Sequence, residues 1–103
     1  MDTQENERRS TISSTAGGVM TDEAGAVTGD LEIATRLDAE KLYVSVRYAG
    51  AEEWYTVTGS PVSLGERFSL TDLHELVVSH LTSPGPVVGG NEEPVSLEEF
   101  SPA

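Results

Sequence analysis

Two stretches of strict alternation constrain this chain more than any other feature. Leu31, Ile33, Thr35 and Leu37 alternate with Glu32, Ala34 and Arg36; after Asp38-Ala39-Glu40-Lys41 the pattern resumes as Leu42, Val44, Val46 and Tyr48. A period of two is that of a half-buried strand, so each stretch offers one apolar face. Joining them through the Asp38 to Lys41 loop pairs Leu37 with Leu42, Thr35 with Val44, Ile33 with Val46 and Leu31 with Tyr48, all on one face. A turn at Gly50-Ala51, with Gly at the positive φ of a type II′ turn, then pairs Val46 with Tyr55 and Val44 with Val57. The opposite face carries Glu32 against Arg47, Arg36 against Tyr43, Ser45 against Thr56 and Arg47 against Trp54.

A helix follows. Ser69 is placed to cap it, Asp72 lies in its first turn, and Phe68 with Leu73 has the spacing of a hydrophobic staple. Leu70, Leu73, Leu76, Val77, His80 and Leu81 form one broad stripe, and Thr82-Ser83-Pro84 ends the helix. Pro61 to Leu64 is a short apolar piece, either a further edge strand or an irregular crossing. The expected fold is α+β: an antiparallel meander of three to four strands packed against one C-terminal helix, βββα in outline, over residues 31–83.

The flanks read differently. Residues 1–30 are rich in Ser, Thr, Gly and acids, with Ile12, Val19, Met20 and Val27 too scattered for a face, which predicts a disordered acidic tail. Met20-Thr21-Asp22-Glu23 also reads as an alternative start, making the first 19 residues an optional extension. Residues 84–103, with Pro84, Pro86, Gly89, Gly90, Pro94 and Pro102, predict a flexible tail in which only Val95, Leu97 and Phe100 have a side chain to dock. A domain confined to the middle is small and marginally stable, and with no Cys it has neither disulfide nor thiolate metal cage. A protein partner or self-association is the expected support.

The net charge of -12 disfavours nucleic acid and anionic membranes and favours a basic protein partner. Each of the segments 1–30, 31–83 and 84–103 carries -4, so the middle is the least acidic per residue. No apolar run reaches membrane-span length, and the first residues lack a signal-peptide pattern, so a cytoplasmic location is the default expectation.

Catalytic chemistry finds no pattern. His74-Glu75 with His80 differs from a zinc-protease helix, whose His residues lie four apart; a separation of six leaves the rings about 120° apart around the helix. The expectation is a structural His80, a solvated His74 and no metal site. Asp72 with Glu75, and Glu52 with Glu53, read as solvated carboxylates rather than an acid/base pair. No Gly-x-Ser-x-Gly elbow and no phosphate loop occur, so neither an enzyme nor a cofactor is expected. Arg8-Arg9-Ser10-Thr11 matches a basophilic kinase site by composition alone.

Trp54 is the most informative side chain. With the register above it lies outside, beside Arg47 and diagonal to Tyr43, and these three form the candidate partner-binding patch. A longer turn would reverse the parity and put Trp54 in the core; the sequence leaves both open.

Over residues 42–81, the hairpin ending in Glu53-Trp54-Tyr55, the crossing at Ser60-Pro61, then Gly65 and the capped helix Ser69-Leu70-Thr71-Asp72-Leu73 loosely resemble the HicB-like antitoxin fold. That resemblance implies a partial nuclease-like fold without catalytic residues that acts by blocking a small basic toxin. From the residues themselves the expectation is a non-catalytic protein-binding module, an adaptor or inhibitor. The competing expectation is a self-assembling structural or accessory subunit, that is, a homo-oligomer.

Overall fold

The computed structural model describes residues 7–64 and 68–102. Residues 1–6, Gly65 to Arg67 and Ala103, and with them one position of the HicB-like resemblance, lie outside the described residues. The elements run β1 (Glu7–Ser13), β2 (Val19–Thr21), β3 (Gly25–Val27), β4 (Asp30–Asp38), β5 (Lys41–Tyr48), β6 (Tyr55–Thr56), β7 (Val62–Ser63), α1 (Leu70–Leu81), β8 (Val87–Val88) and β9 (Asn91–Glu92). Antiparallel ladders and the helix give the expected α+β class.

The two alternating stretches form β4 and β5 in the register the pattern predicts, with Leu37 opposite Leu42, Ile33 opposite Val46 and Leu31 opposite Tyr48. Their loop is tighter than four residues. Asp38 pairs with Lys41, so only Ala39 and Glu40 intervene, both at positive φ (51° and 67°). This is the type I′ geometry that suits the twist of a hairpin, here built without Asn or Gly. Tyr55 pairs with Val46 as expected, and Val57 N donates to Val44 O. The turn before β6 sits one residue earlier than expected: Ala51 N donates to Tyr48 O, and Gly50, at φ 85°, takes the third position, the type II pattern. The segment after Pro61 is a strand, β7, laid on β5 with Val62 opposite Leu42.

The helix starts where the sequence places it, with the Ser69 hydroxyl accepting from Asp72 N. Its buried face differs from the expected stripe. Leu70, Leu73, His74, Val77 and Leu81 are buried, while Leu76 is 41% exposed and His80 half-buried. At 100° per residue Leu76 lies about 240° from Leu70, whereas His74 and Val77 follow the i, i+4, i+7 ridge. The helix rests on β1 and β4, where hydroxyls are available to an inward His, so the expected solvated His74 is corrected to an interior one.

The larger departure concerns the flanks. Within the expected N-terminal tail, β1 pairs with β4 along its length, setting Ile12 against Leu31 and Ser10 against Ile33. Ile12, Val19, Val27, Val95 and Leu97 belong to the same buried cluster as the meander. Backbone bonds knit the flanks together: Thr58 N to Met20 O (3.0 Å), Met20 N to Val95 O (2.8 Å) and Leu97 N to Thr58 O (2.8 Å). The boundaries 31 and 83 are therefore corrected; the described core extends from Ile12 to Leu97. Short strands of two or three residues need only one inward side chain each, so they leave no periodicity to read. Pro86 and Pro94 flank the β8–β9 hairpin rather than preclude it, and Gly89-Gly90 turn it at φ 61° and 85°. Since β1 lies within the first 19 residues, a chain beginning at Met20 would lack the outermost strand of the sheet.

Candidate functional site

Strand parity decides what the sheet shows on the side turned away from α1. With Ile12, Leu31, Ile33, Leu42, Val44 and Val46 inward, the outward set on β1, β4 and β5 holds Glu7, Asp30, Glu32 and Asp38 together with Arg9, Arg36, Lys41 and Arg47. Those charges cancel, although the chain as a whole carries -12. The outer face is thus an electrically neutral area on a strongly acidic protein, and it contains four of the six basic residues.

The three candidate residues meet there. Trp54 follows the parity of the outer face and is half-buried, and the Arg47 guanidinium carbon lies 4.5 Å from its ring centroid. Arg47 is fixed from the other side by Glu32, whose Oε1 accepts from Nε and lies 2.7 Å from Nη2. Tyr43 carries a stack of its own: the Arg36 guanidinium sits 4.4 Å from its centroid. Cation–π contacts at such half-exposed sites contribute about 0.5–1 kcal/mol each and hold flexible side chains in one arrangement.

Arg9 completes the patch, and the sequence reading missed it. It reaches Trp54 at 5.2 Å from β1, donates Nε to Glu7 Oε2 at 2.6 Å, and lies 4.0 Å from Glu32. The hydrogen bond it donates to Glu7 holds its pKa above the ordinary value. Nothing in Glu7-Arg8-Arg9-Ser10-Thr11-Ile12 marks a strand, because one inward apolar residue makes no pattern. Arg9 and Trp54 come within reach because what lies between them is small: Ala34 and Ser45 face each other across β4 and β5. The result is a hollow of about 200 Å³ lined by Arg9, Ala34, Arg36, Tyr43, Ser45 and Trp54, with Glu7 at its side. At the far end of β6, Glu23 accepts from Thr56 N (2.7 Å) and Thr56 Oγ1 (2.8 Å), which lowers its pKa and anchors the β2–β3 hairpin beside the face.

On the other side of the sheet lies a polar chain with the outline of a nucleophile and base. Ser10 Oγ is 2.7 Å from His74 Nε2, and Thr35 Oγ1 is 2.8 Å from Nδ1. Arg8 donates from Nη2 and Nε to Thr71 Oγ1 alongside. His74 is 7% exposed and Thr35 fully buried. Burial first, and the nearby Arg8 second, lower the His74 pKa, so the neutral ring is favoured, donating from one nitrogen and accepting at the other. The arrangement satisfies a buried imidazole and ties α1 to β1 and β4. It also places Ser10, the residue of the kinase-like match, in a paired strand with its hydroxyl engaged.

His80 is held separately, its Nε2 2.7 Å from Ser96 O and its ring edge-on to Phe100 at 5.4 Å. The two His therefore serve different contacts, and among the described residues no group of His, Asp and Glu has the arrangement of a metal site. A second hollow, of about 190 Å³ beside His80, is lined by Glu93, Glu98 and Glu99 and is strongly acidic. Among the described residues no helix is long and apolar enough to cross a membrane.

In comparisons with known proteins, no protein-family model matches this chain, and no curated protein or solved structure matches it significantly.

Proposed function

We propose that this chain is a non-catalytic protein-binding module that receives its partner on the outer sheet face through Tyr43, Arg47 and Trp54, with Arg9 and Arg36. The observation that carries this reading is the set of guanidiniums already stacked on Trp54 and Tyr43. Trp, Tyr and Arg are the side chains that concentrate binding energy at interfaces, and ordering them before contact removes part of the entropic cost of association. The surrounding acidity, including the hollow at Glu93, Glu98 and Glu99, suits a partner whose wider surface is basic, with charge setting the encounter rate. An inhibitor of a small basic protein, the role implied by the HicB-like resemblance, is a special case. The non-catalytic part of the reading rests on His74 being locked between Ser10 and Thr35 beneath α1.

Affinity capture from native lysate tests it with Arg47→Ala/Trp54→Ala against a helix control, Glu75→Gln/Leu76→Ser. The partner retained by the wild type and the helix control should be lost with the sheet variant, by about 2 kcal/mol or more as for interface hot spots. Equal retention by both variants would remove the sheet face from consideration. A second reading, self-assembly, is favoured by the zero net charge of this face, which lets copies approach without the repulsion felt elsewhere. Sedimentation separates the two: a monomer at high concentration removes self-assembly, whereas an oligomer dispersed by Trp54→Ala makes the face homotypic.

A further inference from the structure

The arginines of the outer face are not equivalent, and the difference bears on what the central hollow holds. Arg47 has Nε and Nη2 both on Glu32, so its fork is occupied. Arg9 has its Nε on Glu7 and only a 4.0 Å approach to Glu32 from Nη1. Arg36 sits over the Tyr43 ring and meets Asp38 at 3.6 Å, beyond hydrogen-bond length; among the described residues its side chain makes no hydrogen bond. Arg9 and Arg36 both line the hollow over Ala34 and Ser45. The aromatic faces there already carry the chain's own cations, which disfavours a second cation. A planar anion meets the reverse: guanidinium edges with free N–H groups, side chains already ordered, and small residues beneath that leave room.

We infer that this hollow takes a single carboxylate side chain of the bound protein partner, forked by Arg36 and flanked by Arg9, with Tyr43 and Trp54 as walls. The inference rests on the proposed use of the outer face. It adds a definite chemistry: because the chain as a whole carries -12, the acid has to be presented from a basic segment, since an acidic peptide would be repelled before reaching the hollow. The partner's recognition element is then an Asp or Glu set among Lys or Arg.

Trp54 is the chain's single tryptophan and lies in the wall of the hollow, so its emission reports occupancy directly. The test titrates the full chain with two synthetic peptides lacking aromatic residues, acetyl-KKGEGKK-amide and acetyl-KKGQGKK-amide, at low salt. The Glu peptide should change Trp54 emission saturably and bind about tenfold more tightly than the Gln peptide, the difference expected of one charge-assisted pair. Arg36→Gln should erase that preference while leaving the far-ultraviolet circular dichroism unchanged. Equal binding of the two peptides, or a preference that survives in Arg36→Gln, overturns the carboxylate subsite and leaves the basic-partner reading standing. Trp54 emission that responds to neither peptide overturns both.

Discussion

Replacing Leu97 with Ala separates a folded C-terminal segment from a tail. Leu97 is 3% exposed, its backbone N–H bonds Thr58 O at 2.8 Å, and its backbone lies against Gly59, where an added Cβ would come within 2.8 Å of Leu97 C. With the backbone pinned so closely, little collapse can fill the space left by the side chain, so Leu97→Ala should cost about 2–4 kcal/mol. Total stability for a domain of this size is about 5–10 kcal/mol, so the change removes a large share of it. In a urea titration with a slope of about 1.5 kcal/mol per M the midpoint should fall by about 1.3–2.7 M with the slope unchanged. Val88→Ala is the internal control: Val88 lies in the same segment but is 58% exposed, and its removal should stay within about 0.5 kcal/mol. A Leu97→Ala midpoint within about 0.3 M of the wild type would refute the packing of this segment. The same packing means that deletion of residues 84–103 should unfold the domain rather than merely remove acidic charge.

Other outcomes follow from single features. The Ala39-Glu40 turn holds two side chains at positive φ, so Ala39→Asn and Glu40→Gly should each stabilise by about 1 kcal/mol, read as a higher melting temperature; no gain would contradict the type I′ assignment. His74 has a folded pKa below its ordinary value of 6.5, through burial and Arg8, partly opposed by Glu75. The unfolded chain therefore takes up the proton first, so the stability linked to the neutral ring is present above about pH 6.5 and is lost as pH falls from there through the lower folded pKa. His74→Gln should flatten the decline in urea midpoint between pH 7.5 and 5.5, and an equal decline in the variant would assign it to carboxylates instead. A double-mutant cycle on Glu32 and Arg47, half-buried partners with two contacts of 2.7 Å, should give a coupling of about 1 kcal/mol, and additive effects would show that the pair does not hold the patch.

Where alternation ran for seven residues or more, the sequence disclosed both partner and register: the β4–β5 ladder and the outward places of Tyr43 and Arg47 follow from parity alone, whereas Trp54, beyond a turn of unknown length, stood open between core and surface until the structure set it beside Arg47. The capped helix was equally legible, since Ser69 and Asp72 are local signals. Its rotation was not, because Leu76 and His74 flank the same stripe and only the hydroxyls of Ser10 and Thr35, from distant strands, draw His74 inward. The flanking strands stayed hidden for a related reason. Val19, Val27 and Val95 each contribute one inward side chain to a short bridge, and such bridges are specified by tertiary pairing rather than by local pattern. Arg9 was lost with them, and with it the hollow over Ala34 and Ser45, which exists only once β1 stands beside β4.

Site-specific photocrosslinking in native lysate reads out whether the partner sits on the outer sheet face. A benzophenone side chain placed at Thr11, exposed at the edge of that face, should yield a conjugate with the partner protein, and the same group at Glu75 on the exposed side of α1 should not. A conjugate from position 75 with none from position 11 would contradict the account.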